Sequence, residues 1–260
     1  MRNMKNKFLL ALTVLPVVFF ACSKQPSGND KTATTGTGSA TSVVSVNSEG
    51  TAAVNPVIAT DTDANNIEKP LDPKDILPPT QSIKHLDEMV SEYQLGQSLT
   101  PEQVKQNTEL KQKIIRGTFD IKELCRLSLG KHWDEITQAQ RDEFVGLMTK
   151  LLETKAIFSK EQLHGENKLY DINYQKETYD DTEKKKATVV TKMNIPKDKT
   201  SFAITYKMLI TPFGWKIYDV IVDDASLLSN YKFQFDRIIT TSGYNDLISR
   251  MKKKLDDISK

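Results

Sequence analysis

Apolar residues recur every three or four positions through one half of the folded chain, and every second position after it. Ile83, Leu86, Met89, Val90 and Tyr93 place one helical face between Ser82 and Tyr93. Thr100-Pro101-Glu102-Gln103 carries helix-start chemistry: a Thr cap, Pro in the first turn and Gln three residues on. This second helix is expected to run to about Arg116 and to stop at Gly117. Asp120 then caps a third helix, with Glu123 at the capping-box position and Ile121, Leu124, Cys125 and Leu127 as its apolar side; Gly130 ends it. Thr137, with Gln140, opens a fourth and longer helix. Its stripe of Phe144, Leu147, Met148, Leu151 and Leu152 either packs on a sheet or also lines a ligand cavity.

The period then shortens to two. Four strand-like runs follow, at about 169–179, 186–195, 201–210 and 215–222, joined by turn-like links that suit antiparallel hairpins. Val189, Thr191, Met193 and Ile195 share one face of the second run, and Phe202, Ile204, Tyr206, Met208 and Ile210 one face of the third. In the fourth, strict alternation sets Trp215, Ile217 and Ile221 opposite Tyr218, Val220 and Val222. Both faces of that strand are apolar, which calls for cover on both sides or a cavity on one. Two more helices close the chain. One spans about 226–240 on Leu227, Leu228, Tyr231, Phe235 and Ile238; the other follows Gly243 on Leu247, Ile248, Met251 and Leu255. Helices, a meander of strands and helices again make an α+β fold with helices segregated against an antiparallel sheet.

The N-terminal region follows a different pattern. Arg2, Lys5 and Lys7 precede an apolar run from Phe8 to Phe20, then Ala21 and Cys22. The run is short for a bilayer span and reads as a bacterial lipoprotein signal, residues 1–21, cleaved before a lipidated Cys22. Phe19 stands where such signals usually carry Leu. Ser23 after the cysteine is compatible with outer-membrane sorting. Residues 22–79 are rich in Ser, Thr, Gly, Ala, Asn, Asp and Pro, have no aromatic residue between Ser23 and Pro79, and cannot bury enough surface to offset their ordering entropy. They are expected to be a disordered tether with an r.m.s. span of about 40 Å. Residues 80–260 remain as a single folded domain.

Composition narrows the function classes. A net charge of +2 with interspersed signs gives no field to collect nucleic acid. Cys125 is the one cysteine besides Cys22, so no intramolecular disulfide or zinc spacing arises, and a buried thiol is expected. His85, His132 and His164 are scattered, and no nucleophile elbow, HExxH or phosphate loop is present. No enzyme and no cofactor are expected. Asp219, Asp223 and Asp224 form a small acidic group that suggests metal binding or acid–base work as the competing reading.

Two stretches carry a family resemblance. The first runs from Phe119-Asp120-Ile121 through Leu129-Gly130-Lys131-His132-Trp133 to Thr137, Gln140-Arg141, Phe144 and Leu151-Leu152. The second is Trp215-Lys216-Ile217-Tyr218-Asp219-Val220 with Asp224 to Leu228, Asn230-Tyr231, Phe235 and Gly243. In order and spacing they resemble the MlaC family, periplasmic phospholipid-binding proteins linked to toluene tolerance. The resemblance covers about residues 83–254. It implies a helical layer on a curved four-stranded antiparallel sheet that encloses an apolar cavity for acyl chains. It also implies a carrier without catalysis, which moves phospholipid between the membranes and maintains outer-membrane lipid asymmetry. The partners implied are an inner-membrane ABC lipid transporter complex and an outer-membrane lipoprotein or porin.

Two departures mark this chain. Family members are typically soluble, whereas Cys22 implies a periplasmic protein anchored by lipid, with the outer membrane favoured. Members also tend to carry an aromatic residue soon after the Leu-Leu pair, where Lys155-Ala156-Ile157 stands here.

Burying alkyl chains is favourable by about 0.8 kcal/mol per methylene, so a carrier needs a dry, adaptable cavity more than polar chemistry. The lipid-binding residues implied by the resemblance are Leu127, Leu151, Met193, Ile204, Tyr206, Met208, Trp215, Tyr218, Val220, Ala225 and Leu228. Asp219 lies in the matched stretch and is expected to serve a structural hydrogen bond or salt bridge rather than metal or acid–base chemistry. Ser226 is expected to start a helix rather than to touch a head group, and Lys252 to Lys254 to form a solvated helix end rather than to meet anionic head groups. The alternative is a structural or adaptor lipoprotein on the same fold, its core filled by side chains. A lyase or isomerase on a cone-shaped α+β scaffold would need a polar cavity floor that the sequence does not display.

Overall fold

The computed structural model describes residues 69–94, 98–155, 170–196 and 199–258. The signal stretch, Cys22, the tether up to residue 68, Ala156-Ile157, His164 and Leu169 lie outside them. Helices come first: α1 (Pro79–Ser91), α2 (Pro101–Thr118), α3 (Ile121–Leu129), α4 (His132–Glu135) and α5 (Gln138–Lys155). The strands β1 (Asp171–Tyr179), β2 (Lys186–Ile195), β3 (Thr200–Thr211), β4 (Gly214–Val222) and β5 (Ala225–Ser226) follow, then α6 (Leu227–Ser242) and α7 (Tyr244–Ile258). The described part reaches back beyond residue 80, because the Leu71 N–H donates to Pro212 O at 2.8 Å and a short 3-10 turn spans Pro73–Asp75.

Helix starts follow the sequence. Thr100 and Gln103 form a reciprocal capping box on α2, and Thr137 and Gln140 do the same ahead of α5. At α3, Asp120 accepts the Glu123 N–H at 2.8 Å, but the box is not closed. The Asp120 N–H is already taken by Ile217 O at 2.9 Å, so the Glu123 carboxylate turns to Arg126 instead.

Four expectations change. Gly117 does not end α2, which continues to Thr118. The helix stops because Phe119 is drawn into extended conformation and bridges Ile217 of β4. The four-residue α4 was not signalled by any periodicity. The stripe of α5 packs chiefly on α2, α3 and α7 rather than on the sheet. The sheet has a fifth strand, the two-residue β5, paired with the end of β4.

The sheet is an antiparallel meander in the order β1-β2-β3-β4-β5. It bends at two bulges, one between Tyr174 and Lys176 in β1 and one opposite Lys207/Met208 in β4. The second overturns the strict alternation expected for β4. Met208 pairs with Ile217 and Lys207 with Asp219, which leaves Tyr218 as the extra residue. Beyond it the faces switch, so Trp215, Ile217, Val220 and Val222 all lie on one face, opposite Ile210, Met208, Tyr206 and Ile204 of β3. Apolar residues at both parities of β4 thus do not mean two covered faces.

The inner face meets the helices: α1 covers β1 and β2, while α2, α3 and α6 pack on β4. The outer face is polar. There the Lys207 ammonium and the Thr188 hydroxyl converge on Asp180, the Thr188 Oγ lying 2.6 Å from Asp180 Oδ2.

Candidate functional site

The inner face of the sheet is largely apolar, interrupted by Thr191 and Glu177, and it is unevenly covered. Ala187, Val189, Met208 and Ile217 are fully buried. Toward the other end of the strands Ile172, Met193, Ile195, Val220 and Val222 are half-buried, around the better-covered Phe202 and Ile204. The register places these residues side by side: Ile172 against Met193, Met193 against Phe202, and Ile204 against Val222. α6 starts at this same end, since β5 pairs with Ile221 and Val222.

Six of the implied lipid-binding residues share this face. Met193 and Val220 are half-buried; Ile204, Tyr206, Met208 and Trp215 are buried. Leu228, in the first turn of α6, packs half-buried against the same core. The structure does not bring the others to it. Tyr218 occupies the bulge and leaves the inner alternation. Ala225 is exposed in β5, and Leu127 is half-exposed, off the buried stripe of α3. Leu151 is buried in α5, whose main neighbours are helices. Ile172, Tyr174, Phe202 and Val222 belong to the face and were not singled out. Alternation signals all four, Val222 by sharing the side of Val220; the bulge is what brings Trp215 and Ile217 onto that same face.

A further polar group borders the apolar surface. Asp87 of α1 accepts the Tyr170 hydroxyl at 3.3 Å, and Tyr174 and Tyr206 lie close by. Burial, and then the Asp87 charge, pushes Tyr174 up to about 12 and Tyr170 higher. Burial also raises Tyr206, against a hydrogen bond with Thr191. All three phenols therefore stay neutral near pH 7, as donors on an oily wall. The Lys84 ammonium sits 5.3 Å from the Tyr174 ring centroid.

The residues of the two motif stretches do something else. Asp219 is buried and accepts both the Ser226 hydroxyl, at 2.7 Å, and the Leu228 N–H, at 2.9 Å. Ser226 caps α6 by accepting the Ser229 N–H. His132 bridges Glu135 and Asp236 through its two ring nitrogens, at 2.8 and 2.9 Å. Phe144 meets Phe235 edge-on, and Tyr231 stacks on Phe235. These are structural contacts. Cys125 is buried, and burial raises its thiol pKa far above the ordinary value.

Among the described residues no group of three or more His, Cys, Asp or Glu is placed to hold a metal ion, and no helix is long and apolar enough to cross a membrane. Two clefts are polar at their edges. One, of about 410 Å³, lies among His132, Glu135, Gln140, Ile239 and Tyr244; the other, of about 240 Å³, lies among Glu92, Gln94, Gln106, Asn107 and Leu110. Neither is lined by an implied lipid-binding residue.

Among solved structures the chain is similar to the phospholipid-binding protein from Ralstonia solanacearum, solved in complex with a phospholipid. The two are 18% identical with a TM-score of 0.55, over 69% of this chain and 98% of that one, a likeness of fold. No curated protein matches the chain. The family model described as MlaC protein matches residues 84–253. The matched span takes in α1 through most of α7, with the sheet and both motif stretches, and the chain belongs to the MlaC family.

Proposed function

We propose that this protein is a membrane-anchored periplasmic phospholipid carrier and not an enzyme. The observation that carries the reading is a family-matched fold whose inner sheet face is largely apolar and only half covered at one end. Acyl chains lie along Met193, Ile204, Val220 and Leu228, where the side chains are adaptable and no precise polar match is needed. The neutral tyrosines beside Asp87 supply the few polar contacts at the edge of that surface. Cys22 carries the acyl anchor, with the outer membrane favoured. The carrier passes lipid between an outer-membrane lipoprotein or porin and an inner-membrane ABC transporter complex, and so supports outer-membrane lipid asymmetry.

Organic extraction of the purified protein, with mass spectrometry, is expected to yield phospholipid, and vesicles are expected to reload the stripped protein. Absence of lipid and of uptake across repeated preparations counts against the carrier. Val220→Glu and Leu228→Glu are each expected to abolish loading with the circular dichroism spectrum intact. Loading unchanged in both removes these residues from the site. Cys22→Ala is expected to shift the protein from the membrane to the soluble fraction, and continued sedimentation with membranes contradicts the anchor.

One observation favours a second reading. Neither described cleft opens on the inner face, and Val189, Met208 and Ile217 are packed to full burial. An adaptor lipoprotein with a filled core would look the same at that end. It predicts no extractable lipid, which the same extraction decides.

A further inference from the structure

Six large apolar side chains stand exposed among the described residues, and four of them gather at one end of the sheet. These are Leu71, Leu77, Tyr179 and Phe213, between 39% and 49% exposed. The contacts that assemble them are specific. Leu71 is bonded through its N–H to Pro212 O, in the β3–β4 turn that displays Phe213 at its tip, and its Cδ1 closes on Gly214. Gly214 has φ +95°, so a side chain is disfavoured there and the turn stays tight. Tyr179 lies 6.0 Å from the Trp215 ring, and the Lys184 ammonium sits 5.4 Å above the Tyr179 ring. The β1–β2 turn is tied to the same end by the Ile210 N–H donating to Lys185 O at 2.9 Å. Leu77 leads into α1, whose Thr80 N–H is held by Glu177, two residues before Tyr179.

We infer that this tip rests in the interfacial layer of a phospholipid bilayer. The chemistry selects that occupant. Aliphatic and aromatic side chains, with the Lys184 ammonium above the Tyr179 ring, suit a boundary that is oily below and wet above. The charges are balanced: residues 69–75 carry two lysines and two aspartates, and residues 181–185 two lysines, one aspartate and one glutamate. A mixed, neutral rim matches zwitterionic head groups rather than a strongly acidic partner. The described chain also enters at this end, at Lys69, and the residues before it carry the proposed anchor, so the anchor delivers the tip to the membrane. The inference builds on the membrane-anchored reading above but needs no lipid in the core.

The test uses the mature chain, residues 22–260, carrying Cys22→Ser so that no acyl group is attached. It is sedimented with sucrose-loaded vesicles of phosphatidylcholine and phosphatidylethanolamine at low and high salt. Sedimentation insensitive to salt is expected. Phe213→Ser alone should weaken it severalfold, and Leu71→Ser, Leu77→Ser and Phe213→Ser together about tenfold or more, as expected for loss of partly buried apolar area. Extractable phospholipid should not change in these variants. Val220→Glu, which empties the carrier site, should sediment as the parent chain does, so loss of the carrier reading and loss of this one are told apart. No sedimentation of the parent chain, sedimentation abolished by salt, or sedimentation unchanged in both variants overturns the inference. The last two of these point respectively to a charged partner and to a different surface.

Discussion

Where α3 and α6 meet β4 and α5 closes on α3, the contacts are specific and most of the side chains are buried. The Phe119 segment bridges Ile217, His132 reaches Asp236 across 104 residues, and Phe144 packs edge-on against Phe235 at 5.4 Å between centroids. At the half-covered end of the sheet, Ile172, Met193, Ile195 and Val222 are half-buried and aliphatic or thioether. The first region joins the two motif stretches to each other; the second contains few of their residues. The comparison explains why a family can be recognised so readily while its binding surface is not. Bonds of defined direction tolerate few residue types, whereas a surface for hydrocarbon needs only apolar area and is met by many sequences. The motifs therefore record how the domain is held together, and the work proposed for it falls to residues that the motifs scarcely fix.

Truncations in the two regions should separate them most widely. Phe235 is fully buried between Phe144 and Tyr231, so Phe235→Ala is expected to destabilise by about 3–5 kcal/mol. Met193 is half-buried, and Met193→Ala is expected to cost about 1 kcal/mol. Urea midpoints measure both, and equal losses would erase the distinction between the regions. The next effect is at Asp219. Asp219→Ala leaves the Ser226 hydroxyl and the Leu228 N–H without their acceptor, at a cost of about 1–3 kcal/mol. Asp219→Asn keeps one acceptor oxygen and should recover part of it. A neutral Asp219→Ala would mean that water replaces the carboxylate, and the seam would be less specific than its geometry.

Much of the seam was legible in the sequence because its signals are local. Caps at Thr100, Asp120 and Thr137 follow from residue type and a spacing of three, and the meander follows from short turns between alternating runs. Ser226 as a helix start is readable for the same reason, whereas a structural role for Asp219 is legible only through the matched stretch that contains it. What escaped depends on pairing between distant residues. Nothing near Tyr218 announces a bulge, since the extra residue is defined only by where Lys207 and Met208 find their partners. Without it Trp215 and Ile217 fall opposite Val220 and Val222, and Tyr218 joins the lipid-facing side. Gly117 was read as a stop, yet the stop comes from Phe119 joining a strand about a hundred residues away. The α5 stripe was correctly apolar, but periodicity cannot tell a helix neighbour from a sheet neighbour. Of the candidate site, the face of β2 and β3 was readable from alternation. Its uneven covering was not, because burial is a property of the assembled helices.

A smaller effect tests the local signals themselves. Thr137→Ala removes one half of the capping box at the start of α5 and should destabilise by about 1 kcal/mol in thermal or urea unfolding. Thr137→Ser should be close to neutral. If Thr137→Ala is silent, the start of α5 is held by the Arg141 bond to Trp133 O and the ring contact beside it rather than by the cap.

Acid should loosen the seam and the outer face while sparing the half-covered end. The hydrogen bond from Arg126 holds Glu123 below the usual carboxylate range, and His132 with Lys131 does the same for Asp236. At Asp180 burial works upward, but the bonds from Thr188 and Lys207 outweigh it and the net shift is downward. A carboxyl whose pKa is depressed in the folded state contributes stability that is present above its unfolded value, and that stability is lost as pH falls through the folded value. Loss should thus begin near pH 4, where free carboxylates titrate, and continue below it. Glu123 and Asp180 are partly exposed, so each contributes at most about 1 kcal/mol. The urea midpoint is expected to be flat from pH 7 to about 5 and to fall below that, with a shallower fall in Glu123→Gln and Asp236→Asn. The tyrosines by Asp87 stay neutral throughout this range, so lipid content per folded molecule should not follow the midpoint down. If loading falls in step with it, the two regions unfold as one and the comparison between them fails.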